Sequence, residues 1–242
     1  IIALLYNNRV SFKSSFARIF RKLHPNCVCI NCKDEINQSA NGWFCADCME
    51  HWDAYLFKYA CLDMIDLPKR YFDRTVAPFI YKGDISKLIL DLKYHRGGFV
   101  CDALAPWVAA SLLNDNIKVD VVVPVPLSKE RKRERGFNQA EVLARAVNAY
   151  LGLPIVDNVL ARTKNIERQE RLGAEERKKN AENAFACVGG AEDFAKIRGK
   201  RVLLIDDVIT TGATANDCAR ALKKSGAKTV VACAIAKTEF LA

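Results

Sequence analysis

Residues 202–214 read Val-Leu-Leu-Ile-Asp-Asp-Val-Ile-Thr-Thr-Gly-Ala-Thr, and this run limits the possible folds more than any other in the chain. Four successive apolar residues read as a strand buried on both faces, the kind found in parallel sheets covered by helices. Two carboxylates follow at its end, then a short loop of hydroxyls around one glycine, and Ala215 to Lys224 continue with helical spacing. A phosphate-sized loop at a helix start attracts an anion through backbone N–H groups and the helix N-terminus. Gly212 lets that backbone approach closely. Thr210, Thr211 and Thr214 can donate hydroxyl hydrogen bonds to phosphate oxygens. Asp206 and Asp207 repel phosphate but accept hydrogen bonds from sugar hydroxyls, and through them suit a bound Mg²⁺. The run therefore reads as a site for a sugar phosphate.

The rest of the chain agrees with such a sheet. Arg74 to Tyr81 reads as a strand, and Ile85, Leu88, Ile89 and Leu92 mark an amphipathic helix. A second helix runs from about Val100 to Leu113, a β-branched strand covers Val119 to Val123, and Ala140 to Tyr150 is helical. Short strands are expected at Val159–Arg162 and Ala184–Val188, a short helix near Phe194, and a last strand over Thr229–Ile235. Strands alternating with helices imply a parallel sheet whose ligands lie beyond the carboxyl ends of the strands. No dinucleotide fingerprint or Walker A motif is present.

Ahead of this region the cysteines carry the signal. Cys29-x2-Cys32 and Cys45-x2-Cys48 form two knuckles separated by twelve residues, the spacing of a zinc ribbon. So few large apolar residues lie between 27 and 50 that a metal would have to supply the stabilisation. Cys27 could replace Cys29, and His24 or His51 could also ligate. Four thiolates leave no open position, so this Zn²⁺ is expected to be structural. Cys61, Cys101, Cys187, Cys218 and Cys233 sit in apolar contexts and read as core residues. Phe12, Phe16, Ile19, Phe20 and Leu23 place an amphipathic helix over 11–23, and a second helix is expected over 52–62. Pro68 marks a boundary, which divides the chain into residues 1–66 and 67–242.

The net charge of +9 favours polyanionic partners without choosing among them. No window is long and apolar enough to span a bilayer, and Ile1 to Tyr6 is too short for a signal peptide, so a cytoplasmic protein with reduced thiols is expected. Within Lys129 to Arg135 five basic residues face two acidic ones, and Arg162 to Lys179 holds seven basic and four acidic residues. Aromatic residues are sparse beside both runs, which favours phosphate contact over base reading.

Residues 202–214 resemble the phosphoribosyl-pyrophosphate signature of type I phosphoribosyltransferases. Pro124-Val-Pro126-Leu127 followed by Arg135-Gly-Phe-Asn-Gln139 is more specific and resembles the ComF/GntX family, linked to competence and DNA utilisation. Tyr81-x-Gly83, Leu92-Lys93-Tyr94, the paired knuckles and the pattern Arg162-Thr163, Gln169, Arg177, Asn180, Phe185 are similar to the same family, in the same order. The resemblance implies an α/β fold, a type I phosphoribosyltransferase-like parallel sheet with flanking helices, preceded by a small zinc-ribbon domain. It implies phosphoribosyl pyrophosphate and Mg²⁺ as ligands, with Asp206 and Asp207 as the catalytic pair on the ribose. Thr210, Thr211, Gly212, Ala213 and Thr214 would cradle the 5′-phosphate. Ser128, Lys129, Arg131 and Arg135, with Lys93, are the candidates for the pyrophosphate, and 163–181 matches a mobile covering loop. The implied activity is transfer of a phosphoribosyl group to an unknown acceptor. The alternative is a non-catalytic competence module in which the same site is a sensor, and the basic segments meet single-stranded DNA or a competence helicase.

Overall fold

The computed structural model describes residues 28–34, 36, 43–57, 67–94, 97–163 and 183–239. These fall into two compact units that divide between Tyr55 and Leu56. The helix expected over 11–23, the residues on the N-terminal side of Pro68 from 58 to 66, and the charged segment from 164 to 181 lie outside the described residues.

In the smaller unit, α1 (Ala46–His51) starts where Cys45 accepts the Cys48 N–H on its sulfur. Of the helix expected over 52–62, Trp52–Tyr55 form a 3-10 turn and Leu56, in the larger unit, bridges to Phe79, while residues 58–62 lie outside the described residues. The Phe44 and Trp52 rings meet edge to face with centroids 4.2 Å apart, and both are buried.

The larger unit begins with β1 (Arg74–Val76), β2 (Phe79–Ile80), α2 (Gly83–Tyr94) and α3 (Gly97–Asn114). It continues with β3 (Val121–Pro124), α4 (Lys129–Arg135), α5 (Gln139–Leu151) and the antiparallel pair β4 (Leu160–Arg162) and β5 (Phe185–Cys187). Then come α6 (Ala191–Ala195), β6 (Arg201–Ile205), β7 (Val208–Ile209), α7 (Ala213–Lys224), β8 (Thr229–Cys233) and β9 (Ala236–Lys237).

Four strands pair in parallel in the order β1-β8-β6-β3. Side chains alternate across a strand, so the sheet has two buried faces. Val121, Val123, Val202, Leu204, Val230 and Ala232 pack in one core with Ala215, Cys218, Ala219 and Leu222 of α7. Val122, Leu203 and Val231 turn the other way and are equally buried. β7 and β2 pair with β9 in a second, smaller parallel sheet. The expected strand Arg74–Tyr81 is thus two strands in two sheets. Pro78 explains the break, because it has no N–H for a ladder. Pro124 ends β3 opposite Ile205, a position tolerated because β3 is the edge of the four-stranded sheet. The outer side of β3 meets residues 154–156, where Val122 donates to Pro154 and accepts from Val156.

Two polar residues of α7 tie distant chain to it. Asn216 accepts the Tyr71 N–H at 2.7 Å and donates to the Lys69 carbonyl at 2.8 Å. Asp217, only 7% exposed, accepts the N–H groups of Asn183 and Phe185, and pairs with Arg220 Nε at 2.6 Å. Removing that carboxylate would leave the buried Phe185 amide and Arg220 Nε without their acceptor. Asp217→Ala is therefore expected to lower unfolding stability by about 2–4 kcal/mol in urea titrations.

Candidate functional site

β6 ends at Ile205, and the chain then turns across the carboxyl edge of the sheet. The Asp206 N–H still bonds to Cys233, while the Asp207 N–H donates to Asp206 Oδ1 at 2.8 Å and the Val208 N–H donates to Asp207 Oδ1 at 2.9 Å. These amide bonds set the two carboxyls side by side. Asp207 is buried, and its Oδ2 lies 3.1 Å from Lys93 Nζ at the end of α2. Burial, and after it the neighbouring Asp207 charge, raise the Asp206 carboxyl well above the ordinary range, while Lys93 pulls the other way. Two desolvated acids thus share one cation. Hydroxyl donors or a divalent cation would complete the set.

The loop beyond β7 leads into α7. Gly212 adopts φ 76°, a left-handed conformation that a side chain resists, and is buried at the helix start. Thr211 accepts the Ala213 N–H on its hydroxyl, and the first intrahelical bond runs from Asn216 N–H to the Gly212 carbonyl. The amides ahead of that bond face outward from the helix end. Thr210, Thr211 and Thr214 are exposed there, with Ala213 half-buried. The acid pair and this loop are therefore adjacent on one edge, as the spacing predicts.

The segment after the Pro124–Pro126 turn is a helix, α4, with no buried residue. Ser128 is its N-cap, and its hydroxyl accepts the Arg131 N–H at 3.3 Å. Lys129 and Arg131 are exposed and Arg135 is half-buried. The structure thus gathers four of the five pyrophosphate candidates on α4, and places the fifth, Lys93, with the acid pair. Asn138 positions the assembly. It caps α5 through the Ala140 N–H and donates to the Val125 carbonyl at 3.0 Å, so the turn, α4 and α5 move together. Sequence reading finds Asn138 only as a member of a motif; its N-cap role could be seen from its place just before Gln139–Leu151.

In the smaller unit the sulfurs of Cys29, Cys32, Cys45 and Cys48 all lie within 4.8 Å of one another, with Cys32 and Cys45 3.6 Å apart. Four sulfurs at the zinc bond length form a tetrahedron with edges of about 3.8 Å. Burial opposes ionisation of Cys29, yet the amides of Cys45, Cys32 and Asn31 outweigh it and hold that thiol at about 7. Desolvation raises Cys48, to which Asn31 donates a hydrogen bond at 3.3 Å. Such crowded thiolates fit a tetrahedral cation and leave no open coordination position. Cys29 is thereby placed in the cluster. His51 instead contacts the Asp47 carbonyl at 2.7 Å, and His24 and Cys27 lie outside the described residues. Cys101, Cys218 and Cys233 are buried, as their apolar contexts predict. Among the described residues no helix is long and apolar enough to cross a membrane.

Comparison with known proteins agrees with this geometry. Residues 93–239, more than half of the chain, match the phosphoribosyl transferase domain family. Competence protein F of Haemophilus influenzae is 27% identical over 220 residues, covering 85% of this chain and 94% of that protein. The DNA utilization protein YhgH of Salmonella typhimurium is 30% identical over 170 residues, 68% of this chain and 72% of that one. Competence protein ComFC of Bacillus subtilis is 37% identical over 106 residues, which is 44% of this chain and 39% of its own length. Among solved structures, the glutamine phosphoribosylpyrophosphate amidotransferase of B. subtilis is 19% identical, with a TM-score of 0.39 over 60% of this chain and 30% of that one. The chain belongs to the phosphoribosyl transferase domain family and, within it, to the ComF group of competence and DNA-utilisation proteins.

The raised Asp206 acid makes a sign-definite prediction. The folded protein binds that proton more tightly than the unfolded chain, so Asp206 should lower stability progressively as pH rises above about 4, until the raised value is passed. Asp206→Asn, which keeps the acceptor for the Asp207 amide, should remove this slope. It should also raise the thermal midpoint by about 2–4 °C for ~1 kcal/mol. Calorimetric melts across a pH series would check both.

Proposed function

We propose that the larger unit binds phosphoribosyl pyrophosphate with Mg²⁺ at the carboxyl edge of its sheet. The observation that supports this most is one juxtaposition: two adjacent carboxyls, Asp207 buried and Asp206 half-buried, with a single lysine, beside a glycine-started helix ringed by hydroxyls. In this reading Asp206 and Asp207 hold the ribose hydroxyls, and residues 210–214 hold the 5′-phosphate. Basic side chains of α4 approach the pyrophosphate, and the loop fixes the sugar so that its anomeric carbon is open to an acceptor. Mg²⁺ would enter with the pyrophosphate and supply charge neutralisation to a leaving group. The reaction class is displacement of pyrophosphate through an oxocarbenium-like transition state, which needs no side-chain nucleophile. Calorimetry with phosphoribosyl pyrophosphate and Mg²⁺ tests the reading. The Asp206→Ala/Asp207→Ala chain should lose binding while remaining folded; undiminished binding by that variant would remove the assignment.

The smaller unit is read as a zinc ribbon with Cys29, Cys32, Cys45 and Cys48 as ligands. Cys29→Ser should lower bound zinc, measured by elemental analysis of the purified chain, from one equivalent toward none. Its thiolates suit a reducing, cytoplasmic setting.

A second reading concerns DNA, and the exposed basic face of α4 favours it, together with the competence and DNA-utilization names of the relatives. Lys129, Arg131 and Arg133 present positive charge to solvent, while Lys132 pairs with Glu141 at 3.4 Å. Single-stranded DNA would meet this face through its phosphates. Charge reversal at Lys129 and Arg133 should then weaken oligonucleotide binding and flatten its salt dependence by about 1.4 in slope, at ~0.7 per lost contact. Phosphoribosyl-pyrophosphate binding would be spared by a DNA-only role for these two residues.

A further inference from the structure

Two short turns concentrate positive charge. Lys196-Ile-Arg-Gly-Lys-Arg201 is basic at four of six positions and Lys223-Lys-Ser-Gly-Ala-Lys228 at three of six, and neither holds an acid. The fold sets them side by side at the amino edge of the main sheet, the first leading into β6 and the second into β8. The Gly199 N–H donates to the Gly226 carbonyl and the Lys228 N–H to the Lys200 carbonyl, both at 2.8 Å. Gly226, at φ 96°, permits the close approach, since a Cβ there would meet Arg198 Cγ at 3.2 Å. Lys196, Arg201 and Lys223 have acids beside them, Asp193, Asp120 and Asp73. Arg198, Lys200, Lys224 and Lys228 are exposed and, among the described residues, form no ion pair.

Lys200 also lines an open cleft of about 500 Å³ next to these turns. The cleft runs from Lys196 and Lys200 across the start of β3 to residues 154–158, the segment that covers the β3 edge. Its carboxylates are already matched, Asp120 by Arg201 and Asp157 by Arg145. Val121, Pro154, Ile155 and Val156 supply apolar surface, and no aromatic ring is among the lining residues. About 20 Å of extended chain separates Lys200 from Asp206 along β6. The cleft therefore lies at the edge opposite the acid pair, and opposite the end of β3 from which α4 departs.

Free cations beside a cleft with apolar walls select the kind of partner. A nucleic acid strand would find no ring to stack on there and would carry its phosphates past two carboxylates. A peptide can set acids against the free cations and lay an apolar side chain into the cleft, the apolar centre and polar rim of a protein interface. We propose that the amino edge of the sheet docks an acidic protein segment with an apolar residue beside its acids. The carboxylates of the segment meet Arg198, Lys200, Lys224 and Lys228, and its apolar side chain rests on Pro154 and Ile155. The two turns are bonded to each other before anything binds, which lowers the ordering cost of association. Docking here leaves the carboxyl edge open, so the inference does not depend on the ligand assigned to that edge.

Fluorescence anisotropy with the full chain tests the proposal. The probe is a labelled peptide of about twelve residues, Glu and Asp around one central Leu, in ~0.15 M salt, where exposed charges more than ~8 Å apart are largely screened. The unmodified chain should bind it. Lys200→Glu/Lys228→Glu should weaken binding roughly tenfold or more. Lys82→Glu/Lys87→Glu, which changes net charge equally on and beside α2, should alter it by less than about twofold. A peptide with Ser in place of the Leu should bind roughly fivefold less tightly. Ligand-free melts identify a variant that fails to fold, in which case Lys200→Gln/Lys228→Gln, expected to weaken binding to a lesser degree, decides. No binding by the unmodified chain, equal losses in the two double variants, or indifference to the Leu would overturn the proposal. So would tighter, Lys200-dependent binding of an oligothymidylate of the same length, which would give this edge to nucleic acid instead.

Discussion

Asp217 holds its place in α7 through three donors: the amides of Asn183 and Phe185 and the Arg220 guanidinium. One turn of helix therefore anchors the end of the charged segment to the element whose first residues shape the candidate phosphate loop. Asn216 does the same for residues 69–71 on a neighbouring side. A helix start makes a good anion site only if it cannot shift, since amides that wander lose their alignment. Here the fixation comes from buried polar bonds set one turn behind the loop, and apolar packing through Cys218, Ala219 and Leu222 secures the rest of the helix.

The acid pair shows the opposite economy. Nothing in apolar packing asks for two carboxyls at the end of β6, and burial works against the ionised form of Asp206. Lys93 touches Asp207 directly and offsets only part of the cost at Asp206. Stability would be better served by an amide at 206, and the persistence of acids in such a place is the ordinary mark of a group kept for what it binds.

Much of this was legible in the chain because the signals are local. The quartet Val202–Ile205 became β6 with one added residue, and the cysteine knuckles converged because each CxxC fixes its own geometry. Less was legible where period or distance failed. Lys129–Arg135 has no apolar residue, so helical periodicity had nothing to index, and α4 emerges only from its Ser128 cap and Gly136 end. Arg74–Tyr81 has strand composition throughout, yet Pro78 divides it between two sheets. Asn216 and Asp217 read as ordinary helix polar residues; their partners lie 145 and 34 positions away in sequence, beyond any local pattern.

The margin of the main sheet has a further consequence. β3 is its last strand, and residues 154–156 take up both the donor and the acceptor of Val122 on the outer side. Pro124 then removes an amide at the strand's end. A row of four buried β-branched and imino residues would otherwise be an adhesive template for another chain's strand. Covered and terminated in this way, the border resists edge-to-edge aggregation, and the sheet can keep its most apolar strands next to the open, charged rim that carries the acid pair.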